Sequence, residues 1–512
     1  MFAVIRNYGL SKKGAKKMMN ILPPPVFKYD VADMEGLEKK IFRWSDRKKL
    51  PEMELKQVLC GQNAIYMLPD ALRFLGVTQE QEILVIMDEV EMVRGDQKVK
   101  PLVKDILTES GYQWKEIVLK GDKNGQVHPD FETIEQILPH LHENCAIVSV
   151  GSGVVTDLSK HSSFLWYEEH KEAGQIPLIA CMTADSVPAY SSRSSIISKD
   201  GVKRTWPSRL PHIIIMDYKI LRDCPKEYNI AGAGDLFPLF CSFADWYLAD
   251  TLGLANFLDG SWRTMDDAKD LLIPYAGEIA KGELDGIEVL SKCLTLCGLS
   301  MTFARDSVPV SGYEHVMSHM LDMSAAADGR ATGLHGEQVG VSILWSLAQI
   351  EMLTDYLDQN YDSISLDGCY PEEEKMHQHI MEVFHDVDET DAMGAECWHD
   401  YQQKLHGWEN ARSKMEEFLK NWKEYRNTFR TLLPYTVKDC VKALSLFGHP
   451  LMPTEMKVPI EEKRMRWALR NARLMRKRFT TADLVGFLGL YDQAWEDQVV
   501  AKVMAAIEEV RN

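Results

Sequence analysis
Five short apolar runs, Glu82–Asp88, Glu116–Lys120, Ala146–Val150, Pro177–Met182 and His212–Asp217, are separated by helix-length segments in the first half of the chain. They are rich in Ile and Val and continuous rather than alternating, the pattern of parallel strands covered on both faces. After Cys224 this signal stops. From Ala231 onward the text is helical, with long amphipathic stretches such as Ala392–Leu432 and stops at Pro434, Pro450 and Pro453. A chain of 512 residues, 45% of them hydrophobic, is too long for one core. The pattern predicts an N-terminal extension over 1–45 with Pro23–Pro25 as a stiff break, an α/β domain over 46–225 and an all-α domain over 226–512. Asp355–Glu389 is acidic and reads as a surface insertion; its His377, His379 and His385 match no metal-ligand spacing.

Composition narrows the partners. The net charge of -18 opposes attraction to nucleic acid or anionic lipid. One basic segment, Lys463–Phe479, runs against that trend. Its Met465, Ala468, Leu469, Ala472 and Met475 recur at helical spacing, so an amphipathic helix with most arginines on the wet face is expected. Ten cysteines without a CxxC pair argue against disulfides. The start of the chain lacks the apolar core of a secretory leader, and no uninterrupted apolar run reaches about eighteen residues. A soluble, cytoplasmic protein with no membrane span is expected.

Four short motifs carry the chemistry. At Val150–Asp157 a strand runs into Gly151, Ser152 and Gly153, after which Thr156 and Asp157 open a helix. Glycines let the backbone approach a pyrophosphate, and the N–H groups and dipole of the helix start favour its negative charge. Such a turn in an open α/β sheet is a dinucleotide site, and Asp88 at the end of an upstream strand is placed to bond the adenosine ribose, with NAD or NADP as the cofactor. Downstream, Asp235 follows what reads as a turn at Ala231–Gly234, while His315 (in Gly312–His319) and His335 (in Leu334–Gly340) fall on successive helical segments. One carboxylate and two imidazoles suit a divalent metal, zinc first and iron or nickel next, and leave a coordination position for substrate. His319 lies one turn after His315 on the same face.

In this order, the motifs VGSGVVTDLSK, TADSVPAYSS, DGVKRT, AGAGDLFPLFCSFADWYLAD, SGYEHVMSH, LHGEQVGVS and MRKRFTTADLVGFLGL resemble the sn-glycerol-1-phosphate dehydrogenase family. That family sits within the group of dehydroquinate synthases and iron-containing alcohol dehydrogenases. The resemblance runs from about Gly61 to Leu490. It implies a dehydroquinate synthase-like fold with the active site in the interdomain cleft, Gly151, Ser152 and Gly153 at the pyrophosphate, Thr183 and Ser186 near the nicotinamide, and Asp235, His315 and His335 on the metal. His319 would relay the proton. The chain departs from the family where substrate should sit: Ser186, Val187, Pro188 and Ala189 replace a Ser-x-Asp-Gly element, and Leu239 stands where a lysine is usual. Asp185, Tyr190 and Arg193 are the nearby residues that would substitute.

The leading expectation is a metal-dependent, NAD(P)-linked dehydrogenase, a homodimer, that reduces dihydroxyacetone phosphate or a close analogue. The alternatives are a diverged member acting on another polyol, sugar phosphate or cyclised sugar derivative, including lyase chemistry, and a non-catalytic nucleotide-binding relative.

Overall fold
The computed structural model describes residues 22–41, 54–199 and 202–512. Most of the expected N-terminal extension, residues 1–21 and 42–45, lies outside the described residues.

The apolar runs do become strands. β1 (Gln57–Gly61), β2 (Glu82–Met87), β5 (Trp114–Val118), β6 (Cys145–Gly151), β7 (Leu178–Met182) and β10 (Ile213–Asp217) form one parallel sheet in the order β1-β10-β7-β6-β2-β5. β6, β7 and β10 are buried along their whole length, as continuous apolar strands between two helical layers must be. Two hairpins, β3 (Val93–Arg94) with β4 (Gln97–Lys98) and β8 (Ser194–Lys199) with β9 (Val202–Pro207), are antiparallel additions the pattern did not predict. From β2 the chain crosses to β5 at one edge, whereas from β6 it crosses to β7 on the other side. The crevice beyond the carboxyl ends of β2 and β6 is therefore the topological switch point, where ligands of open α/β sheets bind.

The helical part follows Asp217 without a further strand among the described residues. Its long helix, Leu284–Ala304, is long and apolar enough on average to cross a membrane, though Asp285, Glu288 and Lys292 interrupt it, and 83% of its most apolar window is buried inside the protein. It is a core helix. The acidic stretch is not a loose insertion: the helix His335–Asn360 runs into it, and Glu373–His385 forms a helix that buries Ile380 and Phe384 and stacks His377 on Trp398. The basic segment is broken. A helix covers Glu462–Asn471, a 3-10 turn covers Ala472–Leu474, and the chain then leaves helical geometry. The apolar residues pack as expected, but Arg476 and Arg478 turn inward to line a cavity instead of lying on a wet helix face.

Candidate active site
Ala231–Gly234 is not a turn. Gly232 and Gly234 lie inside the helix Lys226–Leu236, and their glycine identity is set by packing. A Cβ at Gly232 would fall 1.8 Å from the carbonyl oxygen of Asp185, one at Gly234 would fall 2.4 Å from that of Gly336, and one at Gly336 would fall 1.8 Å from that of Ala231. Gly234 and Gly336 let this helix press backbone to backbone against the helix His335–Asn360, and Gly232 lets it approach the backbone at Asp185. Asp235 and His335 are thereby brought together at the helix contact.

The second histidine helix, Tyr313–Ala327, starts where Glu314 accepts the Gly312 N–H at 2.6 Å and Asp245 accepts the Tyr313 N–H at 3.0 Å. These buried carboxylates fix the first turn and so the aim of His315. Nε2 of His315 lies 3.1 Å and Nε2 of His335 lies 3.7 Å from the same Oδ1 of Asp235. One ligand atom from each of the three residues lies within 4.8 Å of the others. That oxygen is buried yet accepts no well-aligned hydrogen bond, so the three polar atoms face a common point more than each other. This donor set fits a divalent cation.

A second layer orients the rings. Nδ1 of His315 donates to Oε1 of Glu314 at 3.1 Å. Ser318 donates to the Gln338 carbonyl at 2.8 Å, so its oxygen accepts from Nδ1 of His335 at 3.0 Å. Gln338 in turn donates to Asp322 at 3.0 Å, and Asp322 accepts from Lys203 of the hairpin at 2.5 Å. Both imidazoles thus keep the proton on Nδ1 and present the Nε2 lone pair, the arrangement of metal-bound histidines. Ser318 and Gln338 went unread in the sequence. Each follows its histidine by three residues, the spacing that puts it on the same helix face.

The surrounding carboxylates and cations set the proton affinities of the three histidines, and a cation bound at this point would displace the proton that His315 shares with Asp235. Burial acts to lower the proton affinity of His315, but hydrogen bonds and charge from Asp235 and Glu314 hold it up at about 9. Burial, opposed by Asp235 and reinforced by His315, brings His335 down to about 4. His319 is pushed well below its ordinary range by burial, then by His335, Arg476 and Lys203. Its ring stacks on His335 at 5.2 Å, and among the described residues neither of its nitrogens has a hydrogen-bond partner.

At the crevice, Gly151 ends β6, and Ser152 is the cap of the helix Gly153–Glu169, with no side-chain bond to that helix. A Cβ at Gly153 would fall 2.3 Å from Val187, so packing as well as ligand approach demands glycine there. Thr183 donates its N–H to the Gly151 carbonyl at 3.2 Å, and its buried hydroxyl has no partner. Ser186 is at the edge of burial beside it. Asp88, just past β2, is ion-paired with Lys100 at 2.5 Å.

Other expected residues are turned elsewhere. The carboxylate of Asp157 is buried and bonded to Lys160 and to the Ile196 N–H at 3.0 and 3.2 Å, joining helix to hairpin instead of facing the turn. Asp185 is fully enclosed and accepts from Ser291 at 2.5 Å; burial, opposed by that bond, lifts its carboxyl to about 7. The Tyr190 hydroxyl is directed at the Gly151 and Ala184 carbonyls. Arg193 pairs with Glu54 at 2.8 Å and lines a separate cavity that none of Asp235, His315 and His335 touches. The three candidates for the missing substrate contact are engaged by the protein itself.

Comparison with known proteins agrees with the motif order. Residues 59–225 match the family model described as iron-containing alcohol dehydrogenase. The glycerol-1-phosphate dehydrogenase [NAD(P)+] of Halalkalibacterium halodurans is 27% identical over 293 residues, covering 57% of this chain and 70% of that one. The protein of the same name from Bacillus subtilis is 25% identical over 333 residues, covering 64% and 80%. Among solved structures, the iron-containing alcohol dehydrogenase of Thermococcus thioreducens superposes with a TM-score of 0.51 at 15% identity, covering 88% of this chain and 98% of that one. The chain is similar in sequence to glycerol-1-phosphate dehydrogenases and, over 59–225, to the iron-containing alcohol dehydrogenase family model, and it shares the fold of the solved iron-containing alcohol dehydrogenase.

Proposed function
We propose that this protein is a metal-dependent, NAD(P)-linked dehydrogenase that reduces dihydroxyacetone phosphate or a close analogue. The observation that carries the reading is the convergence of Asp235, His315 and His335 on one point, with Nδ1 of each histidine held by Glu314 or Ser318. These three residues would hold the cation. A divalent cation there supplies Lewis acidity, drawing electron density from a carbonyl or hydroxyl oxygen and so easing hydride transfer.

The protein's own part is orientation and proton supply. Backbone N–H groups at Gly151–Gly153 and the helix start would hold the cofactor pyrophosphate, Asp88 the ribose, and Thr183 and Ser186 the nicotinamide half. His319, whose ring nitrogens have no partner among the described residues, takes up or gives a proton at Nε2 toward the substrate oxygen. Positive charge from Lys203 and Arg476 is felt at His319, which favours an anionic substrate and hence a phosphorylated ketone. We read the protein as soluble and cytoplasmic.

A second reading has a specific observation behind it. Pro188 offers no hydrogen bond, and Asp185, Tyr190 and Arg193 are engaged within the protein. These features favour a changed substrate, another polyol or sugar phosphate. Oxidation of NADH or NADPH is measured against ketone phosphates and unphosphorylated ketones. Highest kcat/KM with dihydroxyacetone phosphate supports the first reading; preference for a different phosphate ester supports the second; no turnover of any carbonyl contradicts both. In the variant Pro188→Asp, relative turnover of dihydroxyacetone phosphate rises if the substrate has changed, and falls on every substrate if the pocket is already complete.

A further inference from the structure
One cavity lies apart from Asp235, His315 and His335. It measures about 1200 Å³ and lies behind the β8–β9 hairpin, walled by the ends of that hairpin, the C-terminal end of Leu284–Ala304, the helix Ala392–Asn410 and the strip Arg476–Phe479. Seven cations line it, Arg193, Arg204, Arg305, Lys404, Arg476, Lys477 and Arg478, of which Lys404 is paired with Asp483. Asp306 and Asp400 are the only carboxylates lining it among the described residues. Arg204 takes Asp400 and Glu396, and Arg478 takes Asp306, so both lining carboxylates are already engaged. No ion pair or hydrogen bond among the described residues engages the side chain of Arg305 or Lys477, and the Arg476 side chain donates only to the Lys203 carbonyl, at 2.8 Å. In a chain of net charge -18, the positive charge of Arg305, Arg476 and Lys477 is left without a carboxylate in ion-pair contact among the described residues.

Two further features point to a ligand. Arg305 sits in left-handed geometry, φ 55, as the cap of Leu284–Ala304, where glycine is the favoured residue. A strained backbone is retained while a long cation is delivered to the cavity wall. Burial, then the like charges of Arg204 and Arg478, brings Arg476 down to about 9. An anion in the cavity would relieve that repulsion. The rest of the wall is mixed and includes four aromatic rings, Phe164, Trp206, Trp246 and Phe479.

We propose that this cavity is a second ligand site, separate from the metal cleft, for a small organic phosphate whose phosphate meets Arg305, Arg476 and Lys477 and whose apolar or aromatic body lies on the tryptophan wall. Guanidinium groups suit phosphate through paired, charge-assisted hydrogen bonds. The volume admits a molecule of metabolite size.

The test uses full-length protein and calorimetric titration with phenyl phosphate and inorganic phosphate. Arg305→Gly relieves the left-handed strain and Lys477→Ala removes an exposed side chain, so both variants should fold, with Arg305→Gly at least as heat-stable as the parent. Each should bind phenyl phosphate about tenfold more weakly, the loss of one charge-assisted contact. Ser152→Glu, at the glycine turn, should leave phenyl phosphate binding unchanged. Inorganic phosphate should bind more weakly than phenyl phosphate. The inference is overturned if neither cavity variant changes the affinity, if Ser152→Glu abolishes it, if the two anions bind equally, or if the parent binds neither.

Discussion

Asp235, His315 and His335 are ordinary residues made specific by what holds them. Glu314 and Ser318 orient the two histidine rings, and Asp235 supplies the only carboxylate among the three candidate ligands. His335→Ala leaves a carboxylate and one imidazole, a set that holds divalent ions poorly. Elemental analysis of that variant should find most of the metal gone, with NAD(P)H binding retained. A full complement of metal would remove His335 from the ligand set. At the nucleotide turn, Ser152→Glu puts a carboxylate where the helix dipole favours it and a pyrophosphate requires its absence. The fold should be unharmed while NAD(P)H affinity drops about tenfold or more in fluorescence titration. Unchanged affinity would place the cofactor elsewhere. These site residues were legible because glycine, carboxylate and imidazole are rare enough in such order to be read singly. Asp157, Asp185 and Tyr190 were misplaced because a sequence does not show that a polar side chain is already bonded inside the fold.

At the level of elements, the strands that read clearly were those buried on both faces, β2, β6, β7 and β10, whose apolar runs carry no internal polar residue except the small Ser149 of β6. The β8–β9 hairpin escaped because its residues, SSIISK and VKRTWP, are mostly polar and form neither an apolar run nor a polar–apolar alternation, although burial does alternate along β8. Yet it brings Lys203 to Asp322 and Arg204 to the cavity. The same limit made Ala231–Gly234 look like a turn: glycine marks both chain reversal and close helix contact, and only a packed partner tells them apart. Gly232→Ala tests the contact. Its Cβ would meet the Asp185 carbonyl at 1.8 Å, so stability should fall by about 1–3 kcal/mol and metal affinity should weaken as Asp235 moves. Gly277→Ala, where a Cβ meets nothing within 4 Å, should be neutral or raise stability by about 0.5–1 kcal/mol. Equal effects in denaturant unfolding would contradict the packing account.

Across the whole molecule, burial of uncharged histidines sets a pH dependence. Burial, opposed by its bond to the Pro207 carbonyl, brings His161 to about 4; burial, then Arg209 and Lys56, brings His212 to about 3. Both folded values lie below the ordinary 6.5, so the unfolded chain takes up these protons first. The stability tied to the neutral rings is whole above pH 6.5 and is lost as pH falls toward 4 and 3, reaching about 2 kcal/mol for each by pH 5. Asp245 works in the other direction, since burial and then Glu314 hold it up at about 7. The histidine share is therefore read by comparison: between pH 7 and 5, His161→Phe should lose less stability than the parent, and identical slopes would assign the ring no role. The central claim concerns the metal and is tested most directly by preparing the protein free of metal with a chelator and restoring zinc, iron or nickel stepwise while following NAD(P)H oxidation with dihydroxyacetone phosphate. The account predicts no activity without metal and, with the functional ion, a linear recovery that ends at one ion per chain; full activity in metal-free protein, or metal that binds at one per chain without restoring turnover of any carbonyl substrate, would contradict it.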